Sequence, residues 1–192
     1  MSFGPEATSM DEEPPYQLSL SAMPTSDLHS REQVLRVVRE VLRRHGCRAA
    51  NIHVALVDDQ HIADLNERFL QHEGATDVLS FDLSEGRGGE VEGEIVISLD
   101  TALREARRRG HDPAVELALY AAHGALHLLG LDDGTEEEAR LMHARADDAL
   151  EACGLARIAP KEGEDREESG ASGPERARGD SVLGGVGAGR LA

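Results

Sequence analysis

Between about residues 15 and 158, hydrophobic and polar positions follow two distinct periods. Gln17–Ser21 (QLSLS) and Asn51–Val57 (NIHVALV) alternate every second residue, the period of a half-buried strand. Asp77–Leu83 (DVLSFDL) and Glu94–Ser98 (EIVIS) read as two more strands. The glycine-rich SEGRGGEVEG between them predicts a hairpin. Ser30-Arg31-Glu32-Gln33 fits a capping box that opens VLRVVREVLRRHG, a helix stopped at Gly46. Ile62, Leu65 and Phe69 share one face of a helix from Asp59 to about Leu70. Asp100 is placed to cap TALREARRRG. Asp112-Pro113 starts the next helix, with proline in its first turn, and AVELALYAAHGALHLLG carries it to Gly130. That segment is apolar on most sides, which predicts a buried central helix. Thr135-Glu136-Glu137-Glu138 is a second capping box and opens a last helix to about Cys153. The order β-α-β-α-β-β-α-α-α predicts an α/β (α+β) fold, one domain with a small mixed four-stranded sheet packed with helices.

A chain of 192 residues suits one such domain with loose ends. We expect a flexible N-terminus at 1–14, the folded domain at 15–158 and a disordered tail at 159–192. The tail has no aromatic residue and is rich in glycine and charge, so it cannot repay its ordering entropy by burial. The balance of 37 Asp plus Glu against 20 Lys plus Arg gives a net charge of −17. That argues against a broad phosphate-binding surface, because long-range repulsion slows encounter with nucleic acid. Local patches are still possible. Arg36, Arg39, Arg43 and Arg44 form one cluster, and Arg104, Arg107, Arg108 and Arg109 another. They read either as RNA-facing stripes or, more simply, as solvated charge. Two cysteines, Cys47 and Cys153, exclude a disulfide scaffold and a cysteine-rich zinc module, and suit a reducing compartment. The opening MSFGPEATSMDEEPP lacks the basic and apolar regions of a secretory signal. No stretch reaches the roughly 18 consecutive apolar residues of a membrane span. A cytoplasmic protein without a membrane partner is expected.

His123 and His127 stand four apart on the central helix and so share one face, one turn apart. Two imidazoles at that spacing can converge on one metal ion, as on a zincin helix. Gly130 ends the helix, and Leu131-Asp132-Asp133 can bring a carboxylate back to the same ion. Two histidines and a carboxylate, with a fourth position left for water, form a known catalytic zinc set. Paired histidines on a helix are often merely solvated or hydrogen-bonded. Here the flanking Leu119, Ala122 and Leu126 are apolar, and burying unpaired imidazoles is costly. A peptidase of the HExxH type has its general base directly after the first histidine. This chain has Gly124 there, which cannot move a proton. Peptide hydrolysis by that route is excluded.

HGALHLLGLDD resembles the HGxLHLxGxDH signature of the YbeY family of bacterial rRNA maturation factors. LNERFLQHEGATDVLSF (Leu65–Phe81) resembles the family's LNxxYRxxDxPTDVLSF block, and GEIVIS (Gly93–Ser98) its GDIxIS strand. The resemblance implies a single-strand-specific, metal-dependent endoribonuclease. Its role would be maturation of the 3′ end of small-subunit rRNA and ribosome quality control. It further implies one zinc ion, and as partners single-stranded rRNA and the small ribosomal subunit or its assembly factors. The family's third metal histidine falls on Asp133, so the implied zinc set is His123, His127 and Asp133, with catalysis through activated water. Asp132 is the alternative as a supporting residue. The family's arginine, thought to contact phosphate, falls on Leu70, which cannot donate to one. Arg68 or His72 would have to reach in, or cleavage would be weak or absent. A binding factor with a structural zinc is therefore the alternative function.

Other positions carry lesser expectations. Thr76, Asp77 and Ser80 read as strand entry and sheet hydrogen bonding, or as a wall of the substrate cleft. His143, ten residues after Asp133, reads as a surface histidine that could approach the metal. The loop at 86–93 lacks the Lys-Ser/Thr of a phosphate-binding loop, and the DDG at 132–134 lacks the ligand ladder of an EF-hand.

Overall fold

The computed structural model describes residues 15–22, 28–84, 90–157 and 176–178. Strand β1 (Tyr16–Ala22) is followed by helix α1 (Leu28–Arg44), strand β2 (Ala49–Val57) and helix α2 (Asp59–Leu70). Strands β3 (Val78–Asp82) and β4 (Glu90–Ser98) come next, then helices α3 (Leu99–Arg109), α4 (Pro113–Leu128) and α5 (Glu136–Ala152). This is the expected order. A short strand, β5 (Arg176–Arg178), is added from the segment read as a tail; the tail's other residues lie outside those described. The mixed sheet runs β1-β2-β4-β3, with β5 beyond β3. β1, β2 and β4 are parallel, and β3 returns antiparallel to β4 as the predicted hairpin.

Three boundaries differ from the sequence reading. The helix expected to open at Ser30 begins at Leu28, so Ser30 is a buried residue of its first turn rather than a cap. The cap expected from Asp100 comes instead from Ser98, whose hydroxyl accepts from the Thr101 N–H. Ser98 ends β4, so the strand hands over directly to α3 and Asp100 falls within the helix. β4 begins at Glu90, four residues before the predicted start, because pairing with β2 extends back to Ala49. The other two caps are as read: Asp112 accepts from the Ala114 N–H, and Thr135 with Glu138 forms a complete capping box.

α1 buries Val34, Val37, Val38, Val41 and Leu42, a stripe at helical spacing. It packs with α4 and α5 on the sheet face formed by Ile52, Val54, Leu56, Ile95 and Ile97. The opposite face is covered at one end by α2, where Ile62 meets Leu79 and Val96. α4 is buried from Ala114 to Leu128, as its all-round apolar pattern predicts. Its one buried acid, Glu116, lies 3.3 Å from Arg109 Nη1 and 3.0 Å from His111 Nε2. Such partners are what a buried carboxylate requires. No helix among the described residues is long and apolar enough to cross a membrane.

The seat of α4 on the sheet depends on two glycines. A Cβ at Gly124 would lie 2.6 Å from Ile95 Cγ2 and 3.0 Å from Ser80 Oγ. A Cβ at Gly93 would lie 2.8 Å from both Leu128 Cδ2 and the Phe81 carbonyl. Ser80 Oγ donates to the Gly124 carbonyl at 3.2 Å, which ties β3 to the middle of the histidine helix. Gly124→Ala is therefore expected to cost about 1–3 kcal/mol by overpacking. Gly134→Ala, where the nearest atom is 3.9 Å away, should be close to neutral. Urea unfolding of both variants beside the parent checks this; equal midpoints for all three would show that the contact is not tight.

Candidate metal centre

The site is built by the end of α4. Gly130 takes a left-handed conformation, with φ 91°. Its N–H donates to the His127 carbonyl at 2.9 Å, and the Leu131 N–H donates to the Leu126 carbonyl at 3.1 Å. These are the two bonds of a Schellman motif, which glycine favours because it has no Cβ to strain. The turn folds the chain back along the helix. The Leu131 carbonyl thereby comes to 3.1 Å from His127 Nδ1, and Asp132 and Asp133 follow on the same side.

His127 is 1% exposed. With Nδ1 on a carbonyl, that nitrogen carries the proton and Nε2 holds the lone pair. Nε2 is buried with no hydrogen-bond partner. Asp133 Oδ2 is 4.0 Å from it. His127, Asp132 and Asp133 each offer a ligand atom, and these lie within 4.8 Å of one another, a cluster able to hold a metal ion. Asp132 Oδ1 also accepts from the Asp133 N–H at 2.9 Å, which braces the turn. An orphaned imidazole nitrogen facing two carboxylates fits a divalent cation.

His123 sits one turn earlier with the same arrangement: its Nδ1 is 3.2 Å from the Leu119 carbonyl. It does not join the cluster of three. Its ring instead meets the ring of His143 on α5 edge-on, with centroids 4.9 Å apart and planes at 78°. His143 is an exposed residue, as the sequence reading had it, and it also borders the site. The sequence allows an approach of His143 to the site, but its contact with His123 depends on how α5 packs against α4.

The other candidates separate clearly. Asp77 Oδ1 accepts from the Val78 N–H at 2.9 Å and from the Thr76 hydroxyl at 3.2 Å, so both residues shape the entry to β3. Leu70 packs against the cluster of Ile62, Leu79 and Val96. Arg68 lies over the Phe69 ring, 5.3 Å from its centroid. His72 is exposed in the loop that follows α2. Most of the arginine clusters are engaged elsewhere: Arg43 and Arg44 with Glu40, Arg104 with Asp59, Arg108 with Glu105, Arg109 with Glu116.

Electrostatics follow from burial. Burial pushes the Asp133 carboxyl above its usual range; nearby His127 offsets part of this, and Asp132 adds to it. Burial also pushes Asp77 up, and the charge of Asp133 adds to that shift. The His123 ring is pushed down to about 4, by burial first and by His143 second.

The sequence model of the family described as endoribonuclease YbeY matches residues 21–154. The chain belongs to the YbeY endoribonuclease family. It is 41% identical over 124 residues to the endoribonuclease YbeY of Carboxydothermus hydrogenoformans, covering 65% of this chain and 86% of that one. It is 45% identical over 115 residues to that of Anaeromyxobacter dehalogenans, covering 59% and 60%. The Pelotomaculum thermopropionicum protein is 40% identical over 129 residues, covering 64% and 85%. Membership supports an endoribonuclease role in general, and the His/Asp cluster is consistent with a bound metal ion.

The low value for His123 makes metal-free protein sensitive to acid. The unfolded ring titrates near 6.5 and the folded ring near 4, so the unfolded chain takes up the proton first as pH falls. The contribution is complete above pH 6.5 and is lost progressively down to about pH 4, amounting to about 3 kcal/mol. Urea unfolding of chelator-treated protein at pH 7 and pH 4 measures it. His123→Asn should show a shallower loss by that amount; an equal slope would contradict the assignment.

Proposed function

We propose that this chain is a zinc-dependent endoribonuclease that cuts single-stranded RNA in maturation of the small-subunit rRNA 3′ end. One zinc ion would be held by His123, His127 and Asp133. The observation that carries this reading is the buried, unpartnered Nε2 of His127 facing Asp133. Zinc in such a set supplies Lewis acidity toward a phosphate oxygen and toward water. The chain's own groups prepare that site. The Leu119 and Leu131 carbonyls hold the Nδ1 protons of the two histidines and so leave their Nε2 lone pairs free for an ion. Asp133 is favoured over Asp132 as ligand because its Oδ2 lies 4.0 Å from His127 Nε2 and it is the less exposed of the two.

Gly124 explains why the chemistry is not that of a peptidase. The sheet leaves no room for even a methyl group there, so a glutamate base after His123 has no place to stand. The partners proposed are single-stranded rRNA and the small ribosomal subunit or its assembly factors, on the strength of family membership.

A second reading draws on Leu70. It packs in an apolar cluster and cannot donate to a phosphate, and Arg68 on the same helix lies over Phe69. That favours a non-catalytic assembly factor with a structural zinc. Cleavage of a single-stranded rRNA fragment by zinc-loaded, nuclease-free protein decides between them, with His127→Ala prepared identically. The parent should cut, and the variant should lose more than the roughly 10–100-fold typical of removing an outer hydrogen-bond partner. RNA binding without cutting by the parent would favour the assembly factor. Equal cutting by both would refute the metal-centred mechanism.

A further inference from the structure

A phosphodiester brought to this centre needs a hydrogen-bond donor besides the groups that hold the ion. On the α2 side there is Leu70, packed into its apolar cluster, and Arg68 lies over Phe69. On α3, Arg104 and Arg108 are paired with Asp59 and Glu105. On α5 stands His143. Its ring lies against His123, with 4.9 Å between centroids. The same side chain is exposed. One edge of the imidazole is thus fixed against the metal helix while the rest faces the solvent from which substrate arrives.

We infer that His143 is a substrate-contacting residue that donates an N–H from α5 to a non-bridging phosphate oxygen of the RNA at the metal centre. The inference rests on the endoribonuclease reading. It does not require His143 to bind the ion or to change its charge, since a neutral imidazole always carries one N–H donor. The near-perpendicular contact with His123 matters here, because it limits the rotation of a side chain that is otherwise free to wave in water. A held donor loses less entropy when it meets the phosphate than an unrestrained surface histidine would.

The test compares zinc-loaded parent, His143→Phe and His143→Gln. Phenylalanine keeps a ring against His123 and removes the donor; glutamine keeps a donor and removes the ring. Three quantities are measured: zinc affinity by competition with a chelator, affinity for a 2′-O-methylated single-stranded oligonucleotide that cannot be cut through its 2′-hydroxyl, and kcat and KM on an RNA fragment. His143→Phe should retain the parent's zinc affinity within about twofold. It should lose about tenfold or more in oligonucleotide affinity or in kcat/KM, the range expected for a hydrogen bond to a charged acceptor. His143→Gln should recover a substantial part of that loss. Unchanged RNA binding and cleavage in His143→Phe would overturn the inference. Loss of zinc affinity in both variants would also overturn it, by making His143 a ligand. A parent that binds zinc but neither binds nor cuts RNA would sink the endoribonuclease reading itself, and this inference with it.

Discussion

Helix α4 lies as close to strands β3 and β4 as it does because Gly124 and Gly93 present no side chain at the contact. The rest of the site follows from this. With the helix pressed onto the sheet, Ser80 can reach the Gly124 carbonyl, which fixes both the rotation of α4 and its position along its axis. His123 and His127 flank that anchor, one residue before it and three after. Their Nδ1 atoms meet carbonyls at one turn's distance, Leu119 behind and Leu131 ahead. A close helix–sheet approach is thereby converted into two imidazoles with defined tautomers. The same glycine that permits the packing removes the position a peptidase needs for its base, so packing and chemical class are linked at one residue.

Much of the architecture was legible in the sequence because it is written in local periods. The valine stripe of α1, the alternation of β2 and the unbroken apolar run of α4 each specify an element and the face it buries. Local chemistry also specified the Asp112 and Thr135 caps and the turn at Gly130. The errors arose where a tertiary contact outweighed a local signal. Ser30 and Asp100 are good capping residues by type. α1 nevertheless starts two residues before Ser30, and Ser98 takes the α3 cap as the last residue of β4. For the site, the sequence shows why His127 and the returning aspartates come together, whereas His123, expected in the same set, stays outside that cluster. That His143 would rest on His123 could not be read there, since it follows from the packing of α5 on α4 rather than from any spacing.

The acidic total of the chain looks at odds with an RNA substrate, and the arginines do not resolve the conflict by forming open stripes. Arg43, Arg44, Arg104, Arg108 and Arg109 spend their charge on Glu40, Asp59, Glu105 and Glu116, all within the domain. Apart from the pair on buried Glu116, such surface pairs add little stability each. Their larger consequence is that the surface offers phosphate less free positive charge than the arginine count suggests. For the RNA substrate proposed above, attraction would then fall largely to the site itself, over distances shorter than the screening length of about 8 Å at physiological salt.

That requirement bears on the ligand set. With Asp133 where an imidazole would be neutral, and Asp132 beside it, the site without a cation is negative and repels phosphate. The upward shifts of Asp133 and Asp77 come first from burial, and the neighbouring carboxylates, Asp132 for the one and Asp133 for the other, add to them. A divalent cation held there would reverse the sign of that local field and so favour the approach of a phosphodiester. As the proposed ligand, the Asp133 carboxylate would tie substrate binding to cation binding more tightly than a third imidazole would. It would also leave a bound cation with less net charge to polarise its surroundings. A hydrogen-bond donor that rests on the histidine helix without holding the ion, the role proposed for His143, suits such a centre.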